Sequence, residues 1–154
     1  RNLETVLILG FGAGSIATIL CDELKLAPQL TGIELDPEVI ALGKKYFDLD
    51  RYNNLTLHMA DAADFVAVCK TRFDMVVSDV FVDKHIPSRM LKTEYVMHLV
   101  RLTTHGGLGM MNIITETKEQ HCQLELFLRA LTATGVRHKT HRVSSVNSII
   151  SWIG

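Results

Sequence analysis

Three glycines at alternate positions follow the first apolar run of the chain. The stretch VLILGFGAGS, residues 6–15, places Gly10, Gly12 and Gly14 directly after four aliphatic residues. Glycines between a buried strand and a helix adopt backbone angles closed to other residues, and they let a ligand approach the peptide N–H groups. The stretch predicts a strand, a tight turn and a helix whose N-terminus receives the polar end of a ligand. Glycine turns also arise from simple helix–strand packing, so the pattern needs support from elsewhere in the chain.

Apolar β-branched runs alternate with helical periodicities through the remaining sequence. We predict strands at residues 5–9, 29–34, 55–59, 74–78 and 108–114, and a closing antiparallel pair at 137–145 and 148–153. Helices are predicted at residues 15–24, 37–46, 62–69, 94–102 and 118–134, with Gly106-Gly107 ending the fourth. The alternation indicates an α/β fold, a doubly wound and mostly parallel seven-stranded sheet in one domain over residues 1–154.

Composition excludes several classes of partner. The formal charge of the 154-residue chain is -1, which provides no overall field to attract nucleic acid or an anionic membrane. No apolar run approaches the roughly 20 residues that cross a bilayer. Residues 1–83 are nonetheless acidic overall and residues 84–154 basic. An acidic half favours a cationic ligand, but surface charge more often varies in this way without a functional consequence.

The three cysteines are odd in number and widely spaced. Cys21, Cys69 and Cys122 lie in apolar surroundings, which predicts buried thiols in a reducing, cytoplasmic compartment and no disulfide framework. Their spacing fits no zinc motif, and His138 and His141 are expected on opposite faces of a strand. We therefore predict no metal.

Acidic residues stand at the ends of the second and third predicted strands. Glu34 follows Gly14 by 20 residues, and a carboxylate there accepts hydrogen bonds from both hydroxyls of a ribose. Asp61 ends the third strand, where it accepts an adenine amino proton while the N–H of Ala62 donates to the ring, or acts only as a helix N-cap. Together with the glycines, these residues favour a nucleoside ligand.

Asp79 follows the fourth strand, across the expected reversal of strand order from Gly12. It is our candidate for orienting or deprotonating a substrate amine. The next loop, FVDKHIPSRM, carries Asp83, Lys84, His85 and Arg89, and it reads as a lid or as an ordinary surface loop.

The stretches VLILGFGAGSIATIL, GIELDPEVIALGKKYF, LTLHMADAADFV and FDMVVSDVF, in that order and spacing, resemble the class I methyltransferase fold, which is Rossmann-like. Within it they are similar to the spermidine synthase-like group. The resemblance implies that Gly10, Gly12 and Gly14 line the methionine-side tail of S-adenosylmethionine or of its decarboxylated form. It also implies that Glu34 holds the ribose, Asp61 with Ala62 the adenine, and that Asp79 helps to activate the attacking amine.

The sequence departs from that group in three places. The group's glycine loop carries an aspartate that contacts the aminopropyl group, and Ala13 stands there. Its D-[ST]-[ST]-D-P segment is here Asp79-Val-Phe-Val-Asp83, with the second carboxylate one residue late and no proline. The small N-terminal β domain that completes the polyamine pocket is expected to be missing from these residues.

Three functions follow from this pattern. The altered motifs favour an S-adenosylmethionine-dependent methyltransferase acting on a small molecule. An aminopropyltransferase of polyamine biosynthesis, using decarboxylated S-adenosylmethionine, is the first alternative. The second is a non-catalytic relative that keeps the nucleoside pocket or only the fold. The resemblance also implies a homodimer.

Overall fold

Seven strands form one sheet in the order β3-β2-β1-β4-β5-β7-β6. In the computed structural model, which describes residues 2–83 and 85–154, strands β1 to β5 run parallel, and β7 pairs antiparallel with β5 and with β6. The predicted mostly parallel seven-stranded sheet with a closing antiparallel pair is confirmed. The strands are β1 Thr5–Leu9, β2 Gln29–Glu34, β3 Leu55–Met59, β4 Phe73–Ser78, β5 Thr103–Ile114, β6 His138–Arg142 and β7 Asn147–Ile153.

In the described part of the chain, five α-helices connect the strands. They are α1 Ser15–Thr18, α2 Pro37–Phe47, α3 Ala62–Val68, α4 Thr93–Leu102 and α5 Lys118–Ala133. Asp36 caps α2 as predicted, accepting a hydrogen bond from the N–H of Glu38 at 2.8 Å. The first helix differs from the prediction, because after Thr18 the chain continues as a π-helical turn, Ile19–Glu23. In that wider turn Asp22 accepts hydrogen bonds from Arg51 at 2.6 Å and from the Tyr52 hydroxyl at 2.7 Å.

Strand β5 begins immediately after α4, five residues earlier than predicted. Thr103 pairs with Phe73, but the register shifts before Leu108 pairs with Met75. The expectation that Gly106-Gly107 ends the fourth helix is therefore wrong. Gly106 has a φ of +73°, and such a glycine serves a strand irregularity as well as it serves a helix terminus.

Buried side chains cover both faces of the sheet. Alternate residues of β1 belong to different clusters, Leu7 and Leu9 to one and Val6 and Ile8 to the other. Helices α3, α4 and α5 pack on the first cluster, and α1 packs on the second. The strand order reverses between β1 and β4, as the sequence predicts, so the carboxyl ends of these two strands flank a crevice.

The cysteine prediction is wrong in its burial. Cys21 and Cys69 are half-buried, and Cys122 is exposed on α5; all three are free thiols. The exposure of Cys122 follows from the helical period, because its position on α5 faces solvent although some of its neighbours in sequence are apolar. Within the described residues, no helix has the length and apolarity that a membrane crossing requires.

The β5–β7 pairing predicts that Gly109→Ala destabilises the protein. A Cβ at Gly109 would lie 1.8 Å from Cε2 of the Trp152 indole, which is buried and donates to the Thr103 hydroxyl at 3.2 Å. We expect a loss of about 2 kcal/mol or more in the free energy of unfolding, measured by urea denaturation. Gly135→Ala is the control, since its Cβ meets nothing within 4 Å and adds only the strain of a φ of +78°. Equal losses for the two variants would contradict the packing argument.

The Asp22 cluster predicts a pH dependence of stability. The hydrogen bonds from Arg51 and then from Tyr52 lower the pKa of Asp22 below its ordinary value. The stabilisation is therefore present above the unfolded pKa of about 4 and is lost as the pH falls through the lower folded pKa. We expect Asp22→Asn to lose less in Tm than the wild type between about pH 5 and pH 2. Asp50→Asn, which removes an exposed ion pair to Lys44, should keep the wild-type slope.

Candidate functional site

An open cleft of about 560 Å³ lies at the carboxyl ends of β1 to β4, beside the reversal of strand order. Crevices at this point of an open parallel sheet are where such folds bind ligands. Six of the seven predicted site residues line the cleft: Gly10, Gly12, Glu34, Asp61, Ala62 and Asp79. Gly14, the seventh, is buried as the N-cap of α1, and its contact with a ligand stays a prediction.

The three glycines are needed for different reasons. A Cβ on Gly10 would lie 2.4 Å from the carbonyl oxygen of Asp79, and one on Gly14 would lie 2.4 Å from Cδ2 of Leu49. Around Gly12, in contrast, nothing lies within 4 Å of that position. All three have positive φ angles. Gly10 and Gly14 thus permit close packing within the protein, whereas Gly12 lines the cleft with open space beside its backbone.

Glu34 holds the glycine bend from the end of β2. One carboxylate oxygen, Oε2, accepts a hydrogen bond from the N–H of Gly12 at 2.9 Å. The other, Oε1, accepts from the N–H groups of Leu35 at 2.8 Å and Asp36 at 3.0 Å. The carbonyl oxygen of Ile33 accepts from both Gly10 and Phe11 at 2.9 Å, which ties the bend to β2 a second time. Glu34 therefore points at the bend and is fixed there by three backbone donors.

Asp61 is both a helix cap and a wall of the cleft. Its Oδ1 accepts from the N–H groups of Ala63 at 2.8 Å and Asp64 at 3.1 Å. Its Oδ2 lies 3.3 Å from a guanidinium nitrogen of Arg89, which also pairs with Asp64. The hydrogen bond to Asp64, followed by the charge of Asp61, raises the pKa of Arg89 above its ordinary value. Arg89 thus joins the loop after β4 to the start of α3.

Asp79 ends a chain of side-chain amides that reaches across the sheet. Its Oδ1 accepts a hydrogen bond from Nδ2 of Asn112 on β5 at 3.0 Å, and Oδ1 of Asn112 accepts from Nδ2 of Asn147 on β7 at 3.2 Å. The backbone N–H of Asp79 donates to the carbonyl of Leu9 at 2.8 Å. The carboxylate is therefore oriented by neutral donors beside the glycine bend.

The loop after β4 forms one side of the cleft with apolar residues. Val80, Phe81 and Val82 line it, and Pro87 and Met90 complete that side. A tight turn joins Val82 to His85 through two backbone hydrogen bonds of 2.9 and 3.0 Å.

The polar residues predicted to reach a substrate from this loop lie elsewhere. Asp83 and His85 are exposed and do not line the cleft, and Arg89 turns back to α3. Lys84 lies outside the described residues.

A buried pair of hydroxyl groups precedes Asp79 at the end of β4. Ser78, the last residue of β4, hydrogen bonds to the Tyr95 hydroxyl at 2.9 Å, and both side chains are buried. Burial raises the pKa of Tyr95 above its ordinary value, more than the bond to Ser78 lowers it. Tyr95 therefore remains a neutral phenol at physiological pH.

The charge of the cleft wall is negative. Glu34, Asp36, Asp61 and Asp79 line it, and within the described part of the chain no Lys, Arg or His does. Among the same residues, no group of three His, Cys, Asp or Glu side chains is placed to hold a metal ion. This arrangement can bind a neutral or cationic ligand that carries hydroxyl or amino donors.

Sequence reasoning missed the amides behind Asp79. Asn112 is the one polar residue in the apolar run MMNII of β5, and an amide at such a position has to find a hydrogen-bond partner. That signal marks Asn112 as a candidate. No local pattern pairs Asn112 with Asp79, which is 33 residues away, or marks Asn147, the first residue of β7.

Comparisons with known proteins show the family of the chain. The model of the spermine/spermidine synthase domain matches residues 1–145. The polyamine aminopropyltransferase of Vibrio vulnificus (strain CMCP6) is 26% identical over 118 residues, which cover 75% of this chain and 39% of that protein. The eEF1A lysine and N-terminal methyltransferase homolog of Drosophila melanogaster is 29% identical over 125 residues, 74% of this chain and 18% of that protein. The chain therefore spans well under half the length of these curated relatives.

Solved structures share the fold over almost the whole chain. Human methyltransferase-like protein 13 in complex with SAH superposes with a TM-score of 0.83 at 19% identity, covering 99% of this chain and 72% of that one. A spermidine synthase in complex with the transition state analogue AdoDATO has a TM-score of 0.80 at 17% identity, covering 99% and 55%. The predicted Rossmann-like class I methyltransferase fold is confirmed.

The contacts of Glu34 predict that Glu34→Gln loosens the glycine bend. In either orientation of the glutamine amide, its NH₂ group would face at least one of the backbone N–H groups that now donate hydrogen bonds to the carboxylate. We expect amide hydrogen exchange at Gly12 or at Leu35 and Asp36 to accelerate about tenfold. Glu38→Gln, the same change at an exposed residue of α2, should leave those rates unaltered. Unchanged exchange in Glu34→Gln would show that the carboxylate does not hold the bend.

Proposed function

Because the chain belongs to the spermine/spermidine synthase domain family, we propose that it binds S-adenosylmethionine in this cleft and transfers the methyl group to a small-molecule acceptor. The observation that carries the choice of methyl transfer is the neutral wall at Ala13, beside the glycine bend. The nucleoside, the tail and the acceptor each have a place along the cleft.

The nucleoside is proposed to lie between Glu34 and Asp61. A carboxylate has about four acceptor positions, and Glu34 uses three of them on backbone N–H groups, which leaves one on Oε2 for a ribose hydroxyl. A second ribose hydroxyl competes with Gly12 for the same oxygen. Asp61 keeps Oδ2 for the adenine amino group, in the position that Arg89 now approaches, and the buried Ala62 lines the same wall. The strand ends thus present acceptors to a ligand rich in donors.

The co-substrates of methyl transfer and aminopropyl transfer differ in the charge of the tail. Intact S-adenosylmethionine carries a carboxylate and an ammonium there, and the decarboxylated form keeps only the ammonium. Ala13 and Ser15 line the cleft at the start of α1, where N–H groups of the first turn have no partner within the helix. A wall that is neutral at Ala13 and offers backbone donors accepts a carboxylate, whereas an acidic side chain at that position would repel it.

Asp79 is proposed to prepare the acceptor for the reaction. The acceptor's lone pair attacks the methyl carbon, the carbon–sulfur bond breaks, and its electron pair neutralises the sulfonium. Because a sulfonium is already a good leaving group, positioning and exclusion of water do most of the work. Asn112 fixes the Asp79 carboxylate that orients the acceptor and takes its proton.

Aminopropyl transfer is the second candidate, and the family match favours it. The Vibrio vulnificus relative is named a polyamine aminopropyltransferase, and Asp79 would serve an amine acceptor equally well. A non-catalytic nucleoside-binding protein would keep Glu34 and Asp61 in place without turnover. The single-domain organisation, a homodimer and a cytoplasmic location remain predictions.

Titration calorimetry with three ligands tests these candidates. Tighter binding of S-adenosylmethionine than of its decarboxylated form supports methyl transfer, and the reverse order supports aminopropyl transfer. Binding of methylthioadenosine, which lacks the tail, reports on the nucleoside site alone. If none of the three binds, the proposed function is refuted.

The tail argument predicts a change of preference in Ala13→Asp. A new carboxylate in the cleft wall repels the carboxylate of intact S-adenosylmethionine and attracts the lone ammonium of the decarboxylated form. We expect the affinity ratio of the intact to the decarboxylated ligand to fall about tenfold or more. Ala13→Asn adds similar bulk without charge and should keep the wild-type ratio. Parallel changes in the two variants would contradict the role of charge at this position.

A further inference from the structure

We infer that the acceptor is an amine with a single positive charge and an apolar body, and that diamines and polyamines are poor acceptors. The inference rests on the proposed function and concerns the part of the cleft formed by Asp79 and the loop after β4. Three features support it: the negative charge of the cleft wall, the single carboxylate at that place, and the apolar surface around it.

The negative charge of the cleft wall favours an amine as the acceptor. Four carboxylates line the cleft, and no Lys, Arg or His lines the described part of it; Arg89 pairs with one of the four, Asp61, without lining the cleft itself. An anionic acceptor beside Asp79, such as a carboxylate or a phosphate, would be repelled by that carboxylate. An ammonium is attracted, and after losing its proton it has the lone pair that methyl transfer requires.

Three of the four carboxylates are committed to backbone groups near the nucleoside. Glu34 accepts from Gly12, Leu35 and Asp36, while Asp36 accepts from the N–H of Glu38 and Asp61 caps α3. Asp79 differs, because its Oδ1 accepts from the amide of Asn112 and the carboxylate stands next to the apolar loop. One carboxylate is therefore placed to receive one ammonium.

A second carboxylate in the same loop is directed away. Asp83 has a φ of +55° in the tight turn that the Val82–His85 hydrogen bonds close, and it is exposed and absent from the cleft wall. The residue that precedes it, Val82, lines the cleft instead. The far ammonium of a diamine bound at Asp79 would thus lie over apolar surface and gain no charged partner there.

The rest of this wall suits an alkyl or aryl body. Val80, Phe81, Val82 and Pro87 offer carbon surface next to Asp79. An aromatic side chain such as Phe81 can bury a large area of an apolar ligand. The apolar body gains by leaving water here, and the amine is held at Asp79.

The transfer balances with the groups already named. The amine enters as an ammonium and gives one proton to Asp79, and its lone pair then attacks the methyl carbon of the sulfonium. A carbon–nitrogen bond forms, the carbon–sulfur bond breaks, and the products are S-adenosylhomocysteine and a methylated ammonium. The proton on Asp79 leaves to solvent with product release.

Pentylamine and 1,4-diaminobutane form a matched pair of acceptors, because a terminal methyl in one replaces an amino group in the other. We would measure methyl transfer from labelled S-adenosylmethionine, and in parallel the binding of each amine to the protein loaded with S-adenosylhomocysteine. The inference predicts a kcat/KM for pentylamine at least about tenfold above that for 1,4-diaminobutane, with the same order in binding. Equal values, a preference for the diamine, or binding of neither amine would overturn it.

Val82→Asp is expected to improve the use of 1,4-diaminobutane as an acceptor. It adds a carboxylate to the wall three residues after Asp79, where the far ammonium of the diamine lacks a partner. The ratio of pentylamine to 1,4-diaminobutane should fall about tenfold or more, while Val82→Asn should leave it near the wild-type value. Asp83→Asn should also leave the ratio unchanged, because Asp83 lies outside the wall.

The variants also separate the two proposals. If Val82→Asp behaves like Val82→Asn, the acceptor inference fails although the protein still binds S-adenosylhomocysteine. If the wild-type protein does not bind S-adenosylhomocysteine at all, the proposed function fails and the acceptor inference fails with it.

Discussion

The close approach of β1 and β4 at their carboxyl ends determines the geometry of the site. A Cβ at position 10 would lie 2.4 Å from the carbonyl oxygen of Asp79, so only glycine fits there. The N–H of Asp79 donates a hydrogen bond to the carbonyl oxygen of Leu9 at 2.8 Å. This contact brings the glycine bend and the catalytic candidate to the same edge of the sheet. Any larger residue at position 10 would separate the two strands or displace the loop that follows Asp79.

Around that contact, backbone donors fix the carboxylates before any ligand arrives. Glu34 holds the bend and Asp61 begins α3, so each proposed ligand contact is also a structural one. Such oriented acceptors lose little freedom on binding, which is the advantage of a preorganised site. A substitution at Glu34 or Asp61 therefore changes the local structure together with the affinity for a ligand.

Much of the architecture follows from local patterns, and the errors have local causes. The apolar runs of β1 and β4 and the Asp36-Pro37 start of α2 predict their elements to within a residue. The sequence pattern predicts a helix end at Gly106 where the structure has a strand irregularity, because a glycine of positive φ occurs at both. The π-helical turn at Ile19–Glu23 has no comparable local signal, and its Asp22 is held by Arg51 and Tyr52, about 30 residues away.

By itself the sequence determined the order of the elements and the reversal of strand order between β1 and β4. It also placed Glu34, Asp61 and Asp79 at strand ends. These features depend on periodicity and on chirality rules that act along the chain. Only the tertiary structure decided which glycines are required by close packing and that Asp83 turns outward. It also decided that Asn112 contacts Asp79 and that Arg89 contacts Asp61. Those outcomes depend on groups 28 to 33 residues apart meeting in space, and on the sense of a single turn. No pattern within a helical or strand period encodes such contacts, so they emerge only when the sheet is assembled.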